Sequence, residues 1–344
     1  MLIREYALTP HIFDVDDEHN RDRTEEWFTR LWDFITKLFW YDSERKIPGI
    51  VITNYTDLSF ENELGYICNE ATREGRSFLR KLRECQKLLK QRYVYRHSDG
   101  THLSSENDWI AQARKTSKII PIDRIVSTKS LSELSEGQEV FGLYDLHLQE
   151  SFRIIPKEQI SLNPVINEQI DALERLLCFS DVIRLVIPYF CSSLVLRKGA
   201  CTPHPEADFP VSLLKKKVES CSQFASLKHL DILTNSPDNY DNEKPLIAER
   251  IAEFIINEVT GAAFDINVYI TDSKINQRRI IFSKERHGDF VTLWCVGMDH
   301  YARKGSPGLE KHRFGLLSEE EIIEARNTYF PSARKPLCEI RRRG

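Results

Sequence analysis

Apolar positions in the first half of the chain recur mainly at helical spacing. The stretch 24–41 has one apolar face, formed by Trp27, Leu31, Phe34, Ile35 and Leu38. Asp22, with Glu25 three residues later, resembles a capping box and predicts the start of this helix. A second helix is predicted from about residue 62 to 92, and the β-branched run at 50–53 predicts a short strand. Residues 1–155 are therefore predicted to form a mainly helical domain with a few strands.

The second half of the chain alternates between helical and β-branched segments. Helices are predicted over 163–180 with Asn163 as the cap, over 211–224, and over 246–261 with Gly261 at the end. Strands are predicted at 181–190, 227–234, 264–271 and 278–283. Strands separated by such helices predict an α/β sheet with largely parallel pairing. Residues 156–344 are therefore predicted to form an α/β domain that ends in a flexible basic tail.

The composition of the chain limits the classes of protein to which it can belong. The chain has 344 residues, 41% of them hydrophobic, which is enough for two packed domains and excludes global disorder. Its formal net charge of −4 produces no overall electrostatic field that would attract a polyanion or a membrane. The most apolar window, 182–196, is interrupted by Arg184 and is too short to span a bilayer, and the N-terminus lacks a secretory pattern. The sequence predicts a cytoplasmic protein without membrane contact.

The eight cysteines form no metal-binding or disulfide pattern. No Cys-x-x-Cys pair occurs, and a chain of this length does not need disulfide bonds to fold. Cys191, Cys201 and His204 come nearest to a zinc pattern, but a fourth ligand and a tighter spacing are missing. Signatures of nucleotide loops, kinases, serine hydrolases and zinc proteases are also absent from the sequence. We therefore predict no metal and no cofactor.

A strongly basic segment lies in the predicted second helix. Between residues 73 and 96, nine Lys or Arg residues stand against two Glu residues. A cationic face with nearby aromatic residues suits the phosphate backbone of a nucleic acid. The candidate nucleic-acid-binding residues are Arg76, Arg80, Arg83, Lys87 and Lys90. The alternative is a solvated helix face whose charges meet the acidic run at 14–18, and the sequence leaves both interpretations open.

Three short motifs between residues 173 and 290 occur in a recognisable order of helices and strands. They are Ile187-Pro188-Tyr189, Asn276-Gln277-Arg278 and Arg286-His287-Gly288. This order resembles the phospholipase-D-like fold, and in particular the diverged version found at the C-terminus of MIT-domain proteins and in bacterial proteins, some linked to phage defence. Those relatives commonly have Asp-Pro-Tyr, His-Asp-Arg and a Gly-His-Gly-like turn at the three positions. The resemblance implies a phospholipase-D-like fold for the C-terminal domain.

The differences from that family concern its catalytic groups. The chemistry of the family uses an imidazole nucleophile, whereas this chain has Asn276, which cannot form a covalent intermediate on phosphorus. Arg278 is retained and Arg279 follows it, so the resemblance implies a site that binds phosphate without cleaving it. The candidate anion-binding residues are Arg278, Arg279 and His287, and no catalytic residue is assigned.

Three hypotheses for the function follow. The first is a non-catalytic binding or adaptor protein in a bacterial antiphage defence system, whose partners are other proteins of that system. The second is a phosphodiesterase or nuclease that uses His287 or His300, which requires both histidines and Arg278 to converge in one cleft. The third is a nucleic-acid-binding protein that uses the basic helix. Single-repeat members of the resembled fold often pair to build one site, so a homodimer is expected by analogy.

Overall fold

The computed structural model of the chain consists of two compact units, and the predicted α/β class is confirmed. It describes residues 2–15, 21–39, 44–55, 59–70, 76–96, 98, 103–129, 140–142, 159–163, 165–190, 207–236, 243–261, 263–286, 289–301 and 311–342. One unit is Ile3–Pro156, and the other is Lys157–Gly344 together with Met1–Leu2. No helix among the described residues is both long enough and apolar enough to cross a membrane.

The N-terminal unit is built around one parallel sheet. Its elements are β1 (Arg4–Leu8), a 3₁₀ turn (Pro10–Phe13), α1 (Arg21–Phe39), β2 (Ile50–Asn54), α2 (Ser59–Glu70), α3 (Arg76–Lys90), β3 (Tyr93–Tyr95), α4 (Glu106–Ser117), β4 (Arg124–Ser127) and β5 (Val140–Gly142). The strand order is β3-β2-β1-β4-β5, and every neighbouring pair is parallel. Among the described residues of this unit, helices contribute more residues than strands, and the five strands form one sheet.

Two details of the predicted helices differ in the structure. The helix predicted from 62 to 92 is two helices, α2 and α3. Lys90 Nζ at the end of α3 lies 3.3 Å from Glu61 Oε1 near the start of α2. The two helices therefore run antiparallel. Asp22 lies in the first turn of α1, which begins at Arg21, and so does not cap it. There its carboxylate favours the positive end of the helix dipole.

A buried ion pair crosses the sheet of the N-terminal unit. Arg96 Nε and Nη2 donate to Glu5 Oε1 and Oε2 at 2.8 and 2.6 Å, and both side chains are almost fully buried. Arg96 also donates to the carbonyl oxygens of Thr116 and Ile120, each at 2.8 Å. Thr53 Oγ1 donates to Glu5 Oε1 at 2.8 Å. Arg96, the last residue of the basic segment in the sequence, is therefore an internal structural residue.

The C-terminal unit contains a mixed sheet of eight strands. Its elements are β6 (Gln159–Leu162), α5 (Ile166–Phe179), β7 (Val182–Val186), α6 (Asp208–Lys216), a π-helical turn (Lys217–Cys221), β8 (His229–Asn235), α7 (Lys244–Glu258), β9 (Asp265–Thr271), β10 (Arg278–Arg286), β11 (Asp289–Met298), β12 (His312–Leu316), α8 (Glu319–Tyr329) and β13 (Cys338–Ile340). The order is β13-β9-β8-β7-β10-β11-β12-β6.

The prediction of largely parallel pairing in this unit was wrong. Only β7, β8 and β9 pair in parallel, and the other five neighbouring pairs of described strands are antiparallel. The reason is that β10 and β11 form a hairpin beside β7, and a hairpin needs no crossover helix. The predicted flexible tail was also wrong in part, because β13 pairs with the edge strand β9.

The sequence predicted the start of one helix and the end of another, and the structure agrees with only one of these two predictions. Val165 occupies the N-cap position of α5 and makes no capping hydrogen bond through its side chain, so Asn163 is not the cap. Gly261, shortly after α7, has φ 78°, the left-handed conformation that glycine adopts most easily after a helix.

The ammonium group of Lys217 is buried at the end of α5. Lys217 lies in the π-helical turn and is 0% exposed. Its Nζ donates to the carbonyl oxygens of Leu177 and Ala225 at 2.5 and 2.6 Å. Burial lowers the pKa of Lys217 to about 8, because desolvation disfavours the charged form.

Candidate functional site

A pocket of about 400 Å³ opens in the C-terminal unit, where β8 and β9 end. Ligands of α/β proteins commonly bind at the carboxyl ends of parallel strands. The pocket is lined by parts of β8 and β9, the connection from β9 to β10, the end of α8 and the segment that follows it. The lining residues are Leu233, Thr271, Ser273, Lys274, Ile275, Asn276, Gln277, Thr328, Tyr329 and Arg334.

The connection between β9 and β10 is held by the side chain of Asn235 at the end of β8. Asn235 Nδ2 donates to the carbonyl oxygen of Ile275 at 3.0 Å, and the amide of Ile275 donates to Asn235 Oδ1 at 2.8 Å. The side chain of Ile275 is buried in an apolar cluster with Val186 and Leu233. Because Ile275 is fixed in this way, its neighbours Asn276 and Gln277 are exposed at the pocket.

Gln277 is held as a neutral acceptor at the wall of the pocket. Its Oε1 accepts a hydrogen bond from Tyr329 Oη at 2.8 Å and another from Arg279 Nη2 at 3.0 Å. Burial raises the pKa of Tyr329, so its hydroxyl remains protonated and available as a donor at neutral pH. The amide oxygen of Gln277 thus accepts hydrogen bonds from two side chains, one neutral and one cationic.

Both charged groups in the described part of the pocket lining are cationic. They are Lys274, which is exposed and has no ion pair among the described residues, and Arg334. Arg334 Nη1 donates to the carbonyl oxygen of Tyr329 at 2.6 Å, which fixes the guanidinium beside the end of α8. Among the described residues, the lining includes no carboxylate, imidazole or thiol. The two cations can therefore attract an anion to the site.

The two predicted anion-binding arginines of β10 lie on opposite faces of the sheet. Arg278 is 6% exposed, donates from Nη1 to the carbonyl oxygen of Asp299 at 3.1 Å, and lies 5.7 Å from the ring centroid of Tyr189. Arg279 lies on the face covered by α8, next to the pocket, where it contacts Gln277. Successive residues of a strand point to opposite faces, so the structure does not bring the two guanidinium groups together.

His287 lies outside the described residues. Arg286 and Asp289, which precede and follow residues 287 and 288, pair at one end of the β10–β11 hairpin, and Arg278 pairs with Met298 at the other. The length of β10 separates these ends by roughly 26 Å at about 3.3 Å per residue. The role of His287 in anion binding stays a prediction.

His300 lies just beyond the end of β11 and is exposed. Its ring centroid is 5.8 Å from that of His312, and His312 Nδ1 is 2.8 Å from Gln169 Nε2. No cluster of three or more His, Cys, Asp or Glu side chains suited to a metal ion occurs in the part of the chain that the structure describes. The convergence required for the enzyme hypothesis stays a prediction because it includes His287.

The candidate nucleic-acid-binding residues lie on α3. The side chains of Arg80, Arg83, Lys87 and Lys90 are exposed, whereas that of Arg76 lies outside the described residues. Most of the acidic run proposed to neutralise them, residues 16–18, is also outside the described residues.

Two residues that shape the pocket were not predicted from the sequence. Arg334 was assigned to a flexible tail, and Asn235 was not singled out. Asn235 did carry a signal, since an Asn directly after a buried strand often uses its side chain to bond nearby backbone groups. Nothing in the sequence around Arg334 indicated that it meets residues 60 positions earlier.

Comparisons with known proteins assign no family to this chain. No family model matches it, and no curated protein matches it. A weak likeness is found to the solved structure of TrmBL2, an archaeal chromatin protein described as showing a novel mode of DNA binding. The identity is 10%, the match covers 75% of this chain and 81% of that chain, and the TM-score is 0.23. A likeness at this level carries no argument about fold or function.

Proposed function

We propose that this protein is a non-catalytic binding protein whose C-terminal unit holds a phosphate-bearing anion in the pocket at the ends of β8 and β9. The observation that carries this proposal is the lining of the pocket: Lys274 and Arg334 supply positive charge, and no carboxylate, imidazole or thiol accompanies them among the described lining residues. Arg279 adds a third cation beside the wall.

The size and chemistry of the pocket fit a small ligand. A volume of about 400 Å³ lies at the lower end of the range for small-molecule sites. A guanidinium presents several N–H donors in a plane and an ammonium acts as a point charge, so together they suit phosphate oxygens. Asn276 and the hydroxyls of Ser273 and Thr328 add neutral groups that can bond the remaining oxygens.

The same residues lead us to expect that the pocket does not cleave a phosphate ester. Transfer of a phosphoryl group through an enzyme intermediate requires an activated nucleophile, and Asn276 occupies the position where the resembled family has its histidine. Gln277 likewise cannot act as a general acid or base. We therefore expect this pocket to bind a phosphate ester and leave it intact.

Replacing Lys274 by Gln tests this proposal. We expect binding of inorganic phosphate or of bis(p-nitrophenyl) phosphate, measured by titration calorimetry, to weaken about 10- to 100-fold, since a charge-assisted hydrogen bond contributes about 1.5–3 kcal/mol. Lys215→Gln is the matched control, because Lys215 pairs on the surface with Glu258 at the end of α7, before β9 begins, whereas the pocket lies where β9 ends. Failure of the wild-type protein to bind either compound would contradict the binding role.

Release of p-nitrophenol separates binding from catalysis in the same samples. We expect the wild-type protein to release none above the buffer rate. Turnover that Lys274→Gln abolishes would show that the pocket is catalytic and would overturn the proposal.

The adaptor role also needs partner proteins, which we propose on the resemblance to defence-associated bacterial proteins alone. Purification of the native protein under mild conditions, followed by mass spectrometry, is expected to recover further proteins in fixed stoichiometry. Recovery of the protein alone would count against the adaptor role and would leave the binding pocket untouched.

A further inference from the structure

A row of cations lies along the exposed side of α3 in the N-terminal unit. It consists of Arg80, Arg83, Lys87 and Lys90, which we call the α3 basic row, and all four side chains are exposed. Because residues three and four positions apart are neighbours on a helix, these side chains follow one side of α3. They extend over roughly 15 Å at about 1.5 Å of rise per residue.

The charge of α3 is opposite to that of the chain as a whole. The helix RSFLRKLRECQKLLK has six Lys or Arg residues and one Glu, a net charge of +5, whereas the whole chain carries −4. Such a local concentration of one sign gives the surface a positive field in spite of the acidic total. This field favours an anion as the partner of α3.

The α3 basic row is only weakly neutralised by the described part of the protein. Arg80 lies 3.6 Å from Glu84, but both side chains are more than half exposed, so the pair contributes little. Lys90 pairs with Glu61. Arg83 and Lys87 form no ion pair with any described residue. Within the described part of the chain, most of the positive charge of the α3 basic row is thus without a close counter-charge.

The apolar side of α3 favours a nucleic acid over a membrane as the partner. Leu82, Cys85 and Leu89 are buried in the core of the N-terminal unit, so α3 has no apolar face left to insert into lipid. No large apolar side chain of α3 is exposed among its described residues. A row of cations without exposed apolar groups is suited to regularly spaced phosphates in water.

We propose that the α3 basic row binds the phosphate backbone of a nucleic acid without reading its sequence. Each strand of a DNA duplex presents a phosphate about every 3.4 Å along its axis. Four cations over roughly 15 Å can therefore meet phosphates along one strand without rearrangement of the helix. Binding releases condensed counterions, which makes the affinity strongly dependent on salt. This site lies in the other unit from the pocket and does not depend on the function proposed for it.

A triple substitution of the α3 basic row tests this proposal. The variant Arg80→Gln/Arg83→Gln/Lys87→Gln removes three exposed charges without breaking a buried contact. The probes are a short fluorescent DNA duplex of mixed sequence and the matching single strand, with binding by the full chain followed by anisotropy. Four phosphate contacts predict that wild-type affinity for the duplex falls about 100-fold between ~50 and ~200 mM salt. We expect the variant to bind at least about 10-fold more weakly, with a salt slope lower by about 3.

The control removes the same charge elsewhere. The variant Lys215→Gln/Lys216→Gln/Arg250→Gln breaks three surface ion pairs of the C-terminal unit, and we expect it to keep wild-type affinity for DNA. An equal loss in both triple variants would mean that only net charge matters and would overturn the proposal. So would a wild-type affinity that does not respond to salt, or binding to phosphatidylserine vesicles in the absence of binding to either DNA probe. Lys274→Gln should leave DNA binding unchanged. The experiment therefore distinguishes a failure of the α3 site from a failure of the pocket.

Discussion

Replacement of Glu5 by Gln is expected to lower the free energy of unfolding of the N-terminal unit by about 3–5 kcal/mol. Glu5 is 0% exposed and accepts two hydrogen bonds from Arg96, which is itself 2% exposed. An amide in place of the carboxylate leaves the guanidinium buried without a counter-charge and directs an N–H₂ group at one of its donors. Loss of one partner of a buried pair is costly mainly for this reason.

The measurement is a urea titration of the full chain followed by tryptophan fluorescence. Four of the five tryptophans, all except Trp294, lie in the N-terminal unit, so the signal reports chiefly on that unit. Glu84→Gln provides the control, because it makes the same chemical change in the exposed pair with Arg80 and should alter stability by less than about 1 kcal/mol. Equal midpoints for Glu5→Gln and the wild type would show that the buried pair does not stabilise this unit.

The stability of the C-terminal unit is expected to rise with pH between about 8 and 10.5, because of Lys217. The pKa of this lysine is about 8 in the folded protein and 10.5 in the unfolded chain. Between these values the unfolded chain binds more protons than the folded one, so the free energy of unfolding increases with pH. The full penalty for the buried ammonium is present below pH 8 and is gone above 10.5. The difference amounts to about 3 kcal/mol.

Comparison with Lys217→Met isolates this contribution from other groups that titrate in the same range. Met has a similar length and carries no charge, although it leaves the carbonyl oxygens of Leu177 and Ala225 without the donor they have in the wild type. Urea titrations followed by circular dichroism at about pH 8 and pH 10 should show wild type gaining stability relative to the variant. Parallel behaviour of the two proteins over this range would contradict the lowered pKa of Lys217.

The elements that the sequence predicted well are those whose signal is local. The apolar periodicity of 24–41 corresponds to α1, and the β-branched run at 264–271 corresponds to β9. In each case a few neighbouring residues carry the pattern, because side-chain direction repeats with the period of the helix or strand. Boundaries were less accurate where a cap was inferred from residue type alone, as at Asn163.

The pairing of strands depended on residues far apart in the chain. Strand β7 pairs with β10 about 100 positions later, and β13 returns to the edge strand β9. Hydrophobic periodicity does not encode which strand becomes a neighbour, since that choice depends on how the whole sheet closes and which connections are short enough. The expected parallel sheet was wrong for this reason.

The sequence by itself determined the α/β class, the main helices and strands, the cationic surface of α3 and the lack of a histidine at Asn276. Only the tertiary structure decided that Arg96 is buried against Glu5, that Lys217 lies inside the fold, that Arg278 and Arg279 face opposite ways, and that Lys274 meets Arg334 at one pocket. Burial and charge pairing are properties of contacts between distant segments. The chemistry of an Arg or Lys residue is therefore fixed by its surroundings in the folded chain as much as by its identity.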